Sequence, residues 1–364
     1  MGDMTFSGIF VPGLNRRTWR AGANSRVLTF FQTPELRAEG ERVEFLPLCY
    51  QDILGELRRR KPRAALFMCS PPDQHGRCSF GTEVAFIAEL WRQIPIRIAH
   101  INPAMPATLG DEGIPLEALS AYVEGEQKLL GMTPTPTADD VASAIGSYVA
   151  PFISDGDTLQ TGLGKVPDAI LGQLASCRDL RLHSGLVGDG ALALVDSGAL
   201  VGATVGCAIG SEQLYRKVGH VPFAFAPVSV THGAEVLAPL RLVTINSALE
   251  VDLFGQAYAE LTARGWMSGP GGATDYARGA RPRGLRIIAL PATAKGASRI
   301  VMPEDAAGPV SLGRMDIDVV ATEFGAADLR GLSHGGRAFA LIAIAAPEHR
   351  IELTARWNEL SKRF

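Results

Sequence analysis

The chain has 364 residues, enough for two domains that each bury a core, with 46% hydrophobic and 20% charged residues and a formal net charge of -3. That balance excludes a small disulfide scaffold, a disordered chain and a polyanion-binding surface, so nucleic acid is not an expected partner. With Gly 40 and Pro 23, the chain is built for tight turns and for places where backbone approaches a ligand closely.

In chain order, short apolar runs at Val27–Phe31, Val43–Leu48, Ala64–Cys69 and Ile96–Ile101 alternate with helical stretches at Asp52–Arg60 and Glu83–Arg92. Continuous apolar runs are what parallel strands covered on both faces look like, so this first third predicts an α/β layer. The Thr-Pro repeat within residues 131–140 forbids a regular element and marks a linker between an N-terminal domain, residues 1–130, and a C-terminal domain, residues 141–364. Asp139 and Asp140 then offer an N-cap to a helix over Val141–Ala150. The second half predicts strands at Thr158–Thr161, Leu180–Ser184, Ala203–Ile209, Leu242–Leu253, Leu285–Leu290 and Asp316–Thr322. Its predicted helices are Val166–Ala175, Ala191–Ser197, Glu212–Val218 and Arg337–Ala345.

The cysteines, Cys49, Cys69, Cys78, Cys177 and Cys207, are scattered and carry no zinc-ligand spacing, which points to a reducing compartment and no metal site. Met1–Phe10 has no secretory pattern, and the longest apolar run, Ala338–Pro347, is about half the roughly 20 residues a membrane span needs. A cytoplasmic, membrane-free protein is expected. The histidines are dispersed and read as hydrogen-bonded structural residues. Cys69 and Cys78 flank Pro71–Gly76, a loop sequence rather than a nucleophilic thiol site. Phe67, Phe80, Phe86 and Trp91 read as core aromatics, and Arg58–Arg63 as a solvated helix end.

Glycine clusters follow several predicted strands: Gly162-Leu-Gly164, Gly188-Asp-Gly190, Ser268–Ala273 and Phe324-Gly325. In open α/β sheets ligands sit at the carboxyl ends of strands, where glycine lets backbone N–H groups face a phosphate or an oxyanion; a plain turn is the alternative. Neither a dinucleotide fingerprint nor a GxxxxGK[ST] loop is present, which disfavours nicotinamide and ATP chemistry. Along Thr244–Gly255, a period of two sets Ile245, Ser247, Leu249, Val251 and Leu253 on one face and Asn246, Ala248, Glu250 and Asp252 on the other. Glu250 then either meets solvent or faces a cleft as a nucleophile.

Six ordered segments carry a resemblance: Ile101–Pro106 with Leu109–Asp111, Leu159–Ile170, Ile245–Gln256, Ser268–Ala280, Ala292–Gly296 and Thr322–Gly331. Together they resemble the acetyl-CoA hydrolase/transferase family of class I CoA-transferases, which includes 4-hydroxybutyrate CoA-transferases. The resemblance implies two CoA-transferase-type open α/β domains with the active site between them, with Glu250 as catalytic glutamate and Val228 and Gly325 as oxyanion donors. It implies that Pro227, Ser229, Val230 and Thr231 form a CoA-contacting strand end, that Lys295 lies near the CoA phosphates, and that Gly162, Gly164, Gly271 and Gly272 belong to the CoA-binding loops. Acyl-CoA and a small carboxylate are the implied substrates, with no tightly bound cofactor and a homo-oligomeric assembly. The implied reaction is CoA transfer through a glutamyl anhydride and a glutamyl-CoA thioester; hydrolysis on the same glutamate, or CoA binding without turnover, are the alternatives. Three departures stand out. Gly185 replaces a usual glutamate, Pro270 and Phe254 replace smaller or more polar residues around the expected acyl pocket, and the N-terminal part is shorter than typical.

Overall fold

A computed structural model describes residues 4–363 except 12, 16, 19–21, 23, 133–138, 263, 264 and 282. The greater part of the expected linker, residues 133–138, lies outside the described residues. Among the described residues no helix is long and apolar enough to cross a membrane.

The N-terminal part carries two small parallel sheets. One joins β1 (Thr5–Gly8), β2 (Arg26–Thr29) and β3 (Val43–Phe45); the other joins β4 (Ala64–Cys69), β5 (Ile96–Ile101) and β6 (Ala121–Glu124). Between β3 and β4 runs α1 (Tyr50–Arg60), which buries Ile53 and Leu54 and stops where Lys61 turns into a left-handed cap before a proline. The arginines at its end are paired rather than merely solvated: Arg58 with Glu89, Arg59 with Glu56, and Arg60 with Glu44 and Glu56. The helix expected over Glu83–Arg92 shrinks to Ile87–Leu90 and a following 3-10 turn, because Thr82–Val84 instead runs beside Gly206–Ala208 as an added strand segment.

The C-terminal part is organised by one eight-stranded sheet. Its strands are β7 (Thr158–Thr161), β8 (Leu180–Val187), β9 (Leu200–Ala208), β10 (Phe223–Phe225), β11 (Leu242–Asn246), β14 (Leu285–Ala289), β16 (Val319–Thr322) and β17 (Gly325–Asp328). The short strands β12 (Glu250–Asp252), β13 (Ala257–Tyr258) and β15 (Ile300–Val301) form a separate small sheet. The order in the large sheet is β10-β9-β8-β7-β11-β14-β16-β17, parallel except for the closing β16–β17 hairpin. The chain winds outward from β7 to β10, returns to β11 beside β7, and winds outward the other way. The topological switch therefore falls between β7 and β11, the crevice where open α/β sheets bind ligands.

Helices flank this sheet. In α2 (Asp140–Val149), Asp139 accepts a hydrogen bond from the Ala142 amide at 2.9 Å, and Ala142, Ile145, Gly146 and Val149 are buried on one face. Gly146 lets α2 close on α3 (Lys165–Gln173), since a Cβ there would meet Ala169 O at 3.2 Å. The largest buried cluster runs from Phe80, Trp91 and Ile101 through Ile145 and Val149 to Leu182 and Val205, so both halves of the chain share packing.

Two further helices were not foreseen: α5 (Ala273–Ala280), and α7 (Pro347–Leu360), which follows α6 (His334–Ile344). The single strand expected over Leu242–Leu253 is corrected to two. All five residues of β11 are buried, because the strand lies inside a sheet covered on both faces, so a period of two does not apply. The chain leaves at Ser247–Leu249, and β12 pairs antiparallel with β13 and parallel with β15.

Candidate active site

The carboxyl ends of β7, β11, β14 and β16 deliver the site. Beyond β7, Gly162 and Gly164 face open space: a Cβ at either would have no heavy atom within 4 Å. Gly164 has φ +123, which an L side chain rarely adopts, and caps the start of α3. Below them, buried Gln160 and Asn246 exchange hydrogen bonds of 3.2 and 3.0 Å across the switch point.

Four residues past β11, Glu250 is half-buried, and its Oε2 accepts a hydrogen bond from the Ala307 amide at 2.9 Å. Among the described residues no protein donor engages its other oxygen. Beyond β16, Glu323 Oε2 accepts from the Ala292 amide at 2.8 Å, and Gly325, at φ +144, closes the hairpin opposite Thr322. Beyond β14, Lys295 and Gly296 occupy the exposed tip of a two-residue hairpin, both at positive φ, the geometry of a primed turn. Behind that tip Arg299 stands within electrostatic reach of both Glu250 and Glu323. Arg299 had no signal in sequence, because its place depends on the pairing of β12 with β15.

A second group of the expected residues lies at the seam between the halves. Pro227–Thr231 is not a strand end but a single helical turn, α4 (Val228–Thr231), and its amides are engaged. The Val228 amide donates to Ala85 O at 2.9 Å and the residue is fully buried, which corrects its expected oxyanion role: the donor is already used, away from solvent. Ser229 donates to Glu89 Oε1, while Val230 and Thr231 donate to Pro227 O. Gly271 abuts the Phe31 ring, and Gly272 abuts His232. This group connects to the first through Gly185, whose position a Cβ would share with the His232 ring, and through Ser184, whose hydroxyl donates to Thr161 O at 3.0 Å.

His232 is buried against Tyr50 and Tyr276, and burial pulls its pKa down to about 3, so the imidazole is neutral. Glu83 is a further residue the sequence did not single out. Its side chain is exposed at one edge, yet desolvation by the surrounding protein, beside Cys207 and Tyr50, pushes its carboxyl up to about 7. Burial raises the Cys69 thiol to about 12, which removes the thiolate a nucleophile would need. Pro270 lies in the half-buried loop before α5, whereas Phe254 packs edge-on against Trp357 and His334 under the C-terminal helices.

A sequence model of the acetyl-CoA hydrolase/transferase C-terminal domain matches residues 210–357. The 4-hydroxybutyrate coenzyme A transferase of Clostridium kluyveri is 35% identical over 340 residues, covering 89% of this chain and 78% of the relative. Among solved structures, the 4-hydroxybutyrate CoA-transferase of Porphyromonas gingivalis superposes with a TM-score of 0.77 at 31% identity, covering 93% of this chain and 87% of that one. RipA from Yersinia pestis gives 0.85 at 27% identity, covering 93% and 81%. More distant relatives include the acetyl-CoA hydrolase of Neurospora crassa, 28% identical over 57% of this chain and 43% of the relative.

Proposed function

Because the chain belongs to the acetyl-CoA hydrolase/transferase family, we propose that it transfers CoA from an acyl-CoA to a free carboxylate through covalent intermediates on Glu250. The observation that carries this reading is the state of Glu250: a half-buried carboxylate at the switch-point crevice, with Oε2 tethered to the Ala307 amide and Oε1 without a protein donor among the described residues.

An ionised carboxylate needs no partner base. Oε1 attacks the thioester carbonyl, the C–S bond breaks, and the CoA thiolate leaves a mixed anhydride on Glu250. The thiolate then attacks the glutamyl carbonyl, forming a glutamyl-CoA thioester and freeing the first acid as its carboxylate. An acceptor carboxylate reverses the sequence. The amide of Gly325 is our candidate to meet the oxygen that becomes negative, a role worth roughly 3–4 kcal/mol per donor in other acyl-transfer sites. Gly162 and Gly164, with open space above them, are our candidates for the backbone that CoA approaches, with Lys295 at its exposed hairpin tip as a cation for the phosphates. Residues 1–130 and 141–364 act, on this reading, as the two domains that close over the thioester. We further infer a cytoplasmic homo-oligomer with no tightly bound cofactor.

Both intermediates are destroyed by water, so closure decides between transfer and hydrolysis. The hydrolases among the relatives favour keeping hydrolysis as the second reading. The test is intact-mass analysis after incubation with acetyl-, propionyl-, butyryl- and succinyl-CoA, followed by borohydride reduction. The parent is expected to gain a CoA adduct, or after reduction a modified Glu250, that E250Q lacks. Equal CoA transfer by E250Q and the parent would refute the reading.

A further inference from the structure

In the pairing of β12 with β15, Val251 lies opposite Ile300, and both are fully buried. The residues one step earlier, Glu250 and Arg299, are therefore neighbours on the opposite face of the same ladder. The backbone of Arg299 is pinned on both sides: its carbonyl accepts from the Val251 amide at 2.8 Å, and its amide donates to Ala292 O at 2.8 Å. Ala292 is also the residue whose amide holds Glu323.

Each of the two carboxylates near Arg299 is thus tied to a backbone amide, Glu250 to Ala307 and Glu323 to Ala292. Neither is spent on the guanidinium. Among the described residues Arg299 makes no hydrogen bond or ion pair with its side chain, although it is half-buried. By contrast Arg286, also half-buried, clasps Asp318 with bonds of 2.8 and 2.7 Å. Burial works against the charge on Arg299, while Glu250 and then Glu323 favour it. A planar fork of donors, partly desolvated and left open beside a nucleophile, matches the geometry of a carboxylate ligand.

We propose that Arg299 receives the carboxylate of the free acid substrate, and that conversion of Glu250 to its uncharged thioester is what admits that acid. With Glu250 ionised, two negative groups face one guanidinium, and a third anion is repelled. Once Glu250 is esterified to CoA sulfur its charge is gone, and Arg299 with Glu323 alone leaves a balanced pair that tolerates a carboxylate. One oxygen of that acid attacks the glutamyl thioester carbonyl; the C–O bond forms, the C–S bond breaks, and the electron pair departs on the CoA thiolate. Charge is conserved, since one anion enters and one leaves. Water needs no such receptor, so Arg299 separates transfer from hydrolysis.

This inference rests on the transferase reading, and its test keeps the two apart. Adduct formation from the panel of acyl-CoAs is followed by intact mass in the parent, R299Q and R299K; acceptor dependence is then measured with acetate, propionate, butyrate and succinate. Adduct formation in R299Q is expected to stay within about threefold of the parent, while the KM for the acceptor rises at least about tenfold and the share of hydrolysis grows. R299K, with charge but no fork, is expected to fall between. An acceptor KM unchanged in R299Q, or adduct formation lost in step with acceptor use in both variants, overturns the role of Arg299. Absence of any adduct in the parent overturns the transferase reading itself.

Discussion

The imidazole of His232 lies flat against the phenol of Tyr50, with 4.4 Å between ring centroids and 14° between planes. The stack joins α1 of the N-terminal half to the turn after α4 of the C-terminal half. Thr231 Oγ1 sits 2.9 Å from Nδ1, and Gly185 and Gly272 flank the Nε2 edge of the ring. The glycine at 185, where the resemblance led us to expect glutamate, has a steric reason in this chain: the ring occupies the space a side chain would need.

Gly185→Ala is accordingly expected to destabilise the fold. Its Cβ would lie 2.5 Å from His232 Cε1, and Gly272 closes the route by which the ring might retreat, since a Cβ there would be 2.5 Å from Nε2. Overpacking of this kind typically costs about 1–3 kcal/mol. Thermal denaturation of G185A, with G185A/H232A as the relief variant, checks this; an unchanged melting temperature in G185A would mean that the ring swings away freely.

His232 also sets a sign for acid stability. Its pKa is about 3 in the folded chain against 6.5 for an unperturbed histidine, so between those values the unfolded chain binds a proton the folded one excludes. Stability contributed by this group is present above about pH 6.5 and is lost progressively as pH falls toward 3, on the order of 2 kcal/mol by pH 5. Denaturant unfolding of the parent and H232N from pH 7 to pH 5 is expected to show the parent losing stability more steeply. Parallel curves would remove His232 as the cause.

Glu83 leads to the opposite kind of pH effect, on ligand rather than on fold. A carboxyl held up to about 7 gains its charge across neutrality, and CoA is strongly anionic. The KM for acyl-CoA is expected to rise between pH 6 and pH 8 in the parent, and E83Q to lack that rise. Identical profiles would place Glu83 away from the ligand.

The strands β4, β5 and β7 were readable to the residue because each is a short stretch rich in apolar or β-branched residues set off by turn-forming or charged neighbours, although β4 and β5 leave one face partly open, with Leu66 and Ile96 exposed. The break after Asn246 was hidden because an apparent period of two runs on through Ser247–Leu249, although β11 is buried throughout and the chain there leaves one sheet for another. Helix α7 was missed because it offers the core only Leu353 and Trp357, too sparse a stripe to stand out. Glu250 and the glycine loops were singled out by resemblance, whereas Arg299 enters only through the register between β12 and β15, strands far apart in sequence. Likewise the Val228 amide looked available until its partner, Ala85 O, was supplied by a distant segment.

The two loop glycines beyond β7 separate strain from ligand contact. At Gly162 a methyl group enters open space without a positive φ, so Gly162→Ala is expected to change stability by less than about 0.5 kcal/mol. Any rise in the KM for acyl-CoA in that variant then reports the ligand itself. Gly164→Ala has the same open space but must adopt φ +123, and is expected to lose about 1–3 kcal/mol as well. Comparable melting temperatures for the two variants would contradict the backbone argument, and an unchanged KM in G162A would remove that loop from the CoA path.

Gly325 combines both constraints, and a double variant can divide them. At φ +144 an alanine is strained, and its Cβ would also stand 3.3 Å from Ile344 Cγ2. Ile344→Ala, which removes Cγ2 from α6, is expected to relieve that crowding without touching the backbone. If the Gly325 amide serves the developing oxyanion, G325A should lower kcat by roughly a hundredfold by tilting that donor, and adding I344A should cost less stability than the two single variants summed while leaving kcat low. Recovery of kcat in the double variant would show that the glycine serves packing against α6, and that the oxyanion finds its donors elsewhere.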